Sequence, residues 1–153
     1  MYYINLFYNC RNFGVTVLIL DHNIGASGAR NRGMDEASAD YVLFMDDDVE
    51  PSSTILDAYI GAIMRHPSAR VLVGTTAMPA PVGLWTHAVT ATQLSYFYDV
   101  ADKMERPPWG VTANLCVRRY LPGGRMHRFK AIFPKAGGGG KAIPYTVVYS
   151  SIP

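Results

Sequence analysis

Three consecutive aspartates, Asp46, Asp47 and Asp48, follow directly on the apolar run Tyr41–Met45 (YVLFM). A continuous apolar run of this kind reads as a strand buried on both faces, as in a parallel sheet. In open α/β sheets, ligands bind outside the carboxyl ends of the strands, which is where this run delivers its acids. Side chains alternate along an extended segment, so Asp46 and Asp48 are expected on one side and Asp47 on the other. Two carboxylates on one side repel each other unless a cation lies between them. Mn²⁺ and Mg²⁺ accept carboxylate oxygens and bridge to phosphates. A departing diphosphate needs such a cation to stabilise its developing charge. The bland alternative is a surface turn leading into a helix start, where aspartates are common. Spaced ligands with a closing glutamate, as in an EF-hand, are absent.

A second candidate segment is Asp21–Gly33 (DHNIGASGARNRG). Gly25 and Gly28 permit close backbone approach or positive φ. A helix starting here presents unpaired N–H groups and a positive dipole end to an anion. Arg30 can fork onto a phosphate or pair with a carboxylate. The spacing is neither GxGxxG nor a Walker A loop, so dinucleotide and P-loop binding are not supported. Read alone, the segment is equally a tight turn followed by a solvated arginine.

The flanking pattern supplies elements to position both segments. Val15–Leu20 (VTVLIL) reads as a first buried strand. A helix is expected from about Ser27 to Ala37, with Ala29, Gly33 and Ala37 as a close-packing stripe. Pro51 and Ser52 open a second helix with Leu56, Tyr59, Ile60 and Ile63 on one face, closed by His66-Pro67. Arg70–Thr75 reads as the next strand. The order strand–helix–strand–helix–strand predicts a mostly parallel sheet with right-handed crossovers. Further on, a helix is expected over Thr86–Met104, carrying Leu94, Phe97 and Tyr98. A strand follows over Val111–Val117, then a short possible strand at Tyr145–Tyr149. Beyond Pro122 the periodicity fades.

Taken together, Asn23, Gly25, Ala29, Arg30, Asn31, Gly33, Ala37, Tyr41, Phe44, Asp46, Asp47, Asp48 and Pro51 form a pattern that closely resembles the central signature of family 2 glycosyltransferases. The order matches, as does the spacing of about 15 residues between Ala29-Arg30-Asn31 and the acids. The resemblance implies an α/β fold of the GT-A (Rossmann-like) type, a mostly parallel sheet with flanking helices. It implies metal-dependent, inverting transfer of a sugar from a UDP- or GDP-sugar donor to an acceptor hydroxyl. By that resemblance Asp46 and Asp48 hold the divalent cation (Mn²⁺ or Mg²⁺), and Asn23, Gly25, Arg30, Asn31, Asp46 and Asp47 line the donor. Trp109 and Asn114, in the stretch WGVTANLCVRR, fall on the acceptor side. For Trp109 a core or lid aromatic, and for Asn114 a residue satisfying backbone, are the competing readings. Arg118 and Arg119 read as a solvated face.

The pattern also departs from the family. Members usually carry two strand units before the NxG segment, and about 14 residues precede Val15 here. Inverting members usually place an acid after a glycine-bearing loop as general base. Here FPKAGGGGK occupies that region, and no Asp or Glu follows Glu105. The catalytic base is therefore unassigned. The expectation is a single partial, incomplete domain over 1–153. Its well-matched core is 14–119, while 1–13 and 136–153 are expected to be atypical or poorly ordered. A non-catalytic or inactive module that binds nucleotide and metal weakly is the alternative function. A nucleotidyltransferase would need a glycine-rich basic loop for the triphosphate, and none is present.

A chain of 153 residues suits one domain with a real core. Its 49% hydrophobic and 17% charged content is that of a globular protein rather than a disordered one. A formal net charge of +2 gives no electrostatic case for nucleic acid. No apolar run approaches the roughly 20 residues that span a bilayer. The N-terminal stretch lacks a signal peptide's basic and apolar regions, so a cytoplasmic location is the default. Cys10 and Cys116 are expected to be reduced thiols.

Overall fold

The computed structural model describes residues 16–78, 80–92, 100–130 and 148–152. In chain order the elements are α1 (Gly25–Glu36), β1 (Tyr41–Met45), α2 (Ile55–Arg65), β2 (Val71–Gly74), α3 (Leu84–Ala91), α4 (Val100–Lys103), β3 (Asn114–Arg118) and β4 (Val148–Ile152). The strands form one sheet in the order β1-β3-β2-β4.

The sheet is mixed, which corrects the mostly parallel expectation. β3 lies between β1 and β2 and runs antiparallel to both, with Leu43 opposite Cys116 and Leu72 opposite the same residue. β1 and β2 therefore share a direction without touching. Only β4 adds a parallel ladder, on the far edge of β2. The strand–helix–strand pattern correctly implied that β1 and β2 run the same way. It carried no information on a later strand being inserted between them.

Alternation along β1, β3 and β2 divides the core into two layers, because successive side chains point to opposite faces. On one face Val42, Phe44, Val71, Val73, Leu115 and Val117 pack with Met34 of α1, Ala101 of α4 and Phe129. On the other, Tyr41, Leu43, Leu72 and Cys116 pack under Ile55, Ala58, Tyr59, Ala62 and Ile63 of α2. Helices on both sides of a sheet make the three-layer α/β arrangement, so that half of the expectation holds.

The helix faces differ from those read in the sequence. α2 buries the 55/58/59/62/63 stripe, and its small Ala58 and Ala62 let it lie close over the sheet. Leu56 (63% exposed) and Ile60 (56% exposed), expected in the core, face outward. In α1 the fully buried residue is Met34, whereas Ala29 is exposed and a Cβ at Gly33 would meet nothing within 4 Å. The Ala29/Gly33/Ala37 stripe is therefore not a packing face.

Residues 16–20 carry no strand, and Leu18, Ile19 and Leu20 are exposed. β-branched content favours a strand only where a partner ladder exists. None of the described strands pairs with this segment. Strand β4 overlaps the expected 145–149 strand at its C-terminal end; 145–147 lie outside the described residues, as do Leu94, Phe97, Tyr98, Cys10 and the glycine run 136–140. The long helix expected over 86–104 is represented by α3 and α4.

Cys116 is a buried free thiol, and burial pushes it from its ordinary 9.0 up to about 12. Burial also raises the Tyr59 hydroxyl beside it. Both groups ionise more readily in the unfolded chain, which binds fewer protons above that ordinary value, so stability falls as pH rises from about 9 toward about 12. Chemical denaturation between pH 8 and pH 11 is expected to show this loss, and Cys116→Ala to lessen it. A flat profile would contradict the burial.

Candidate functional site

Strand β1 ends at Met45, and the chain turns at once: the Val49 N–H donates to the Asp46 carbonyl at 3.3 Å. Asp46, Asp47 and Asp48 are all exposed on this turn. Alternation needs extended backbone, so it does not set their directions. A turn closed over four residues places three successive acids at the strand tip.

Helix α1 starts beside a local device. The Asn23 Oδ1 accepts from the Gly25 N–H at 2.8 Å, closing an Asx turn. Gly25 has φ +73°, a conformation in which a side chain would be strained. Asn23 and Gly25 thus set the entry of α1. Two turns along, the Arg30 Nη2 donates to Thr112 Oγ1 at 2.5 Å, and its guanidinium lies 5.9 Å from the Phe129 ring centroid. Burial lowers the Arg30 pKa, and the negative charge of Asp46 acts against that shift. Arg30 therefore lies between the loop before β3 and Phe129, where it feels the charge of Asp46.

Phe129 is placed by two residues of the signature, Phe44 and Asn31. It packs edge-on against Phe44 at 5.0 Å. Its backbone is clamped by Asn31, whose Nδ2 donates to the Phe129 carbonyl at 2.9 Å and whose Oδ1 accepts the Phe129 N–H at 2.8 Å. With both ends of its amide engaged, Asn31 is a tie between α1 and residues 126–130 rather than a group presented to a ligand. Arg128 adds an exposed pair to Asp35 at 2.5 Å and a bond to the Asn31 carbonyl.

Asn114 likewise differs from the acceptor contact expected of it. It is buried (8% exposed), accepts from the Tyr59 hydroxyl at 2.6 Å and donates to the Thr75 carbonyl at 3.0 Å. It joins β3, β2 and α2, which is the backbone-satisfying alternative. Trp109 is partly buried in the loop between α4 and β3, next to Gly110, whose position is pressed against Val73 and Leu115. Arg118 and Arg119 are not a solvated face. Arg118 is bonded to the Tyr41 hydroxyl and the Pro67 carbonyl, and Arg119 caps α1 through the carbonyls of Met34 and Asp35.

Among the described residues, no three His, Cys, Asp or Glu converge as a metal cage. A shallow cleft of about 260 Å³ lies at the opposite end of β1, lined by Asp40, Tyr41, Arg118 and Tyr120. Its arginine is already committed to Tyr41 and Pro67, so the cleft carries no comparable chemistry.

Compared with known sequences, residues 3–119 match the family model described as glycosyl transferase family 2. The chain belongs to that family. Neither the search of curated proteins nor that of solved structures gave a match. Family 2 membership carries a GT-A α/β fold and, in general, transfer of a glycosyl group from a nucleotide-sugar donor to an acceptor. Within this glycosyltransferase, the charge of Asp46 acts on Arg30 and so links the two halves of the signature. Thr112 and Phe129, which hold Arg30, carried no reading of their own in the sequence, and Tyr59, which holds Asn114, was expected only on the apolar face of its helix. Thr112 sits in a segment assigned to the acceptor side, and Phe129 lies where periodicity had faded. No described helix is long and apolar enough to cross a membrane.

Proposed function

We propose that this glycosyltransferase is metal-dependent and inverting, using a UDP- or GDP-sugar and an acceptor hydroxyl. The observation that carries the reading is a turn bearing Asp46, Asp47 and Asp48 at the end of β1, with the charge of Asp46 felt by Arg30. Asp46 and Asp48 would hold Mn²⁺ or Mg²⁺. Two exposed carboxylates fit such a cation, which takes one or two protein carboxylates and fills its remaining positions with water and phosphate oxygens. When bound, the cation supplies positive charge to the diphosphate leaving group.

The residues of this chain do the rest by placement. Asn23 and Gly25 fix the start of α1. Arg30, with one N–H on Thr112, keeps further guanidinium donors for diphosphate oxygen. Asp47 lies exposed beside the donor, and Trp109 offers a face on which a sugar can stack. The acceptor oxygen attacks the anomeric carbon in line, the bond to the diphosphate breaks, and the hydroxyl proton passes to a base that this reading leaves unassigned.

A second reading is a chain that binds nucleotide and metal weakly and turns over poorly. Release of UDP or GDP from the corresponding sugars, followed with Mn²⁺ or with chelator, separates the two. Metal-dependent release supports transfer. Binding without release supports the second reading, and neither binding nor release sinks both.

A further inference from the structure

The stretch containing Thr112 was placed on the acceptor side, yet its hydroxyl faces the donor-side arginine. Thr112 Oγ1 accepts the Arg30 Nη2 proton at 2.5 Å. On another side the guanidinium meets the Phe129 ring, itself fixed by the Asn31 clamp and by Phe44. Arg30 is half-buried and Asp46 acts on its charge. A long arginine left to itself spreads over many rotamers, and restricting them beforehand spares that entropy when an anion binds. Thr112 belongs to the loop leading into β3, whereas Arg30 is on α1, so the bond spans 82 positions of the sequence.

We propose that Thr112 is a positioning residue for donor binding. Its hydroxyl holds the Arg30 guanidinium between the loop before β3 and the Phe129 ring, leaving the other N–H groups for the diphosphate of a nucleotide-sugar. The proposal rests on the donor-site reading given above. Phe129 supports the same side chain through its ring face.

The test is calorimetry with UDP and, separately, GDP in the presence of Mn²⁺. The proteins are wild type, Thr112→Val, Thr112→Ser, Arg30→Ala and the Thr112→Val/Arg30→Ala double variant. Valine keeps the shape and removes the acceptor. Loss of one hydrogen bond to a charged group is expected to weaken nucleotide binding about tenfold. Serine restores binding to within about threefold, since it keeps the hydroxyl. With Arg30 already replaced, the valine change adds nothing further, as expected when the two act as one unit. Serine rescue separates positioning from a fold defect, and melting midpoints of all variants check folding directly. Wild-type affinity in Thr112→Val together with weakened Arg30→Ala overturns the positioning role and leaves the donor-site reading standing. Equal losses in the valine and serine variants also overturn it. Absence of nucleotide binding by the wild type overturns both.

Discussion

Replacing Asp48 by Ala is expected to weaken Mn²⁺-dependent UDP or GDP binding by at least about a hundredfold, since loss of even a supporting residue of a metal ligand costs about 10–100-fold. The same change should leave the melting midpoint nearly unmoved. Asp48 is exposed on the turn after β1, where the closing bond is made by backbone atoms of Asp46 and Val49. Surface substitutions of this kind stay within about 0.5 kcal/mol. Asp46→Ala should lose as much affinity, and it also removes the negative charge facing Arg30. Asp47→Ala serves as the internal comparison, because Asp47 is not assigned to the cation; its loss should be several-fold smaller. Calorimetry of the three variants, with and without Mn²⁺, decides the matter. If Asp48→Ala binds as wild type does, these acids are an ordinary surface turn.

The second large effect lies in the core. A Cβ added at Gly74 would fall 2.3 Å from Asn114 Nδ2 and 2.6 Å from its Oδ1. Asn114 cannot step aside cheaply, because the Tyr59 hydroxyl and the Thr75 carbonyl hold it at 2.6 and 3.0 Å. Moving it leaves a buried hydroxyl unsatisfied, and the overpacking adds strain, so Gly74→Ala should cost about 2–5 kcal/mol. For a chain of this size that lowers the melting midpoint by about 10 °C. Gly33→Ala is the contrast. A Cβ there meets nothing within 4 Å, and the helix gains about 0.5–1 kcal/mol. Thermal melts of both variants read the difference directly. A Gly74→Ala midpoint equal to wild type would mean the Asn114 network is looser than its geometry implies.

How far the sequence reveals this molecule depends on whether each feature is local. The strand before the acids and the helix after them were legible, because apolar runs and a proline-opened stripe are local signals. So was the place of the acids at a strand's carboxyl end. Their orientation was not, because Val49 closes a turn that the alternation rule cannot foresee. The face of α2 was misread by one position: Ala58 and Ala62 carry little hydrophobic weight in a pattern, yet they decide how closely a helix approaches a sheet. The place of β3 between β1 and β2 depends on pairing across distant positions, and no periodicity encodes it.

The same division runs through the site. Arg30 and the acids belong to one contiguous signature and were found together. Asn31 belongs to that signature too, but its partner Phe129 lies 98 positions away, so its structural duty was invisible. Asn114 was read as a ligand contact because a strand-borne amide near a binding edge suits that role. The structure closes both its hydrogen-bonding ends within the core. Thr112 was hidden for the opposite reason, since a threonine in a strand-like stretch raises no suspicion until Arg30 is seen against it.

The most direct measurement uses the paramagnetism of manganese. Substoichiometric Mn²⁺ is added to isotopically labelled protein in the presence of UDP or GDP, and line broadening is mapped by residue. The expected result is broadening that begins at the Asp46, Asp47 and Asp48 amides and reaches the Arg30 side chain, which feels the charge of Asp46. Broadening centred on Asp35 and Glu36 or on Asp102 and Glu105, with the turn after β1 untouched, would contradict a diphosphate-bound cation at the end of that strand.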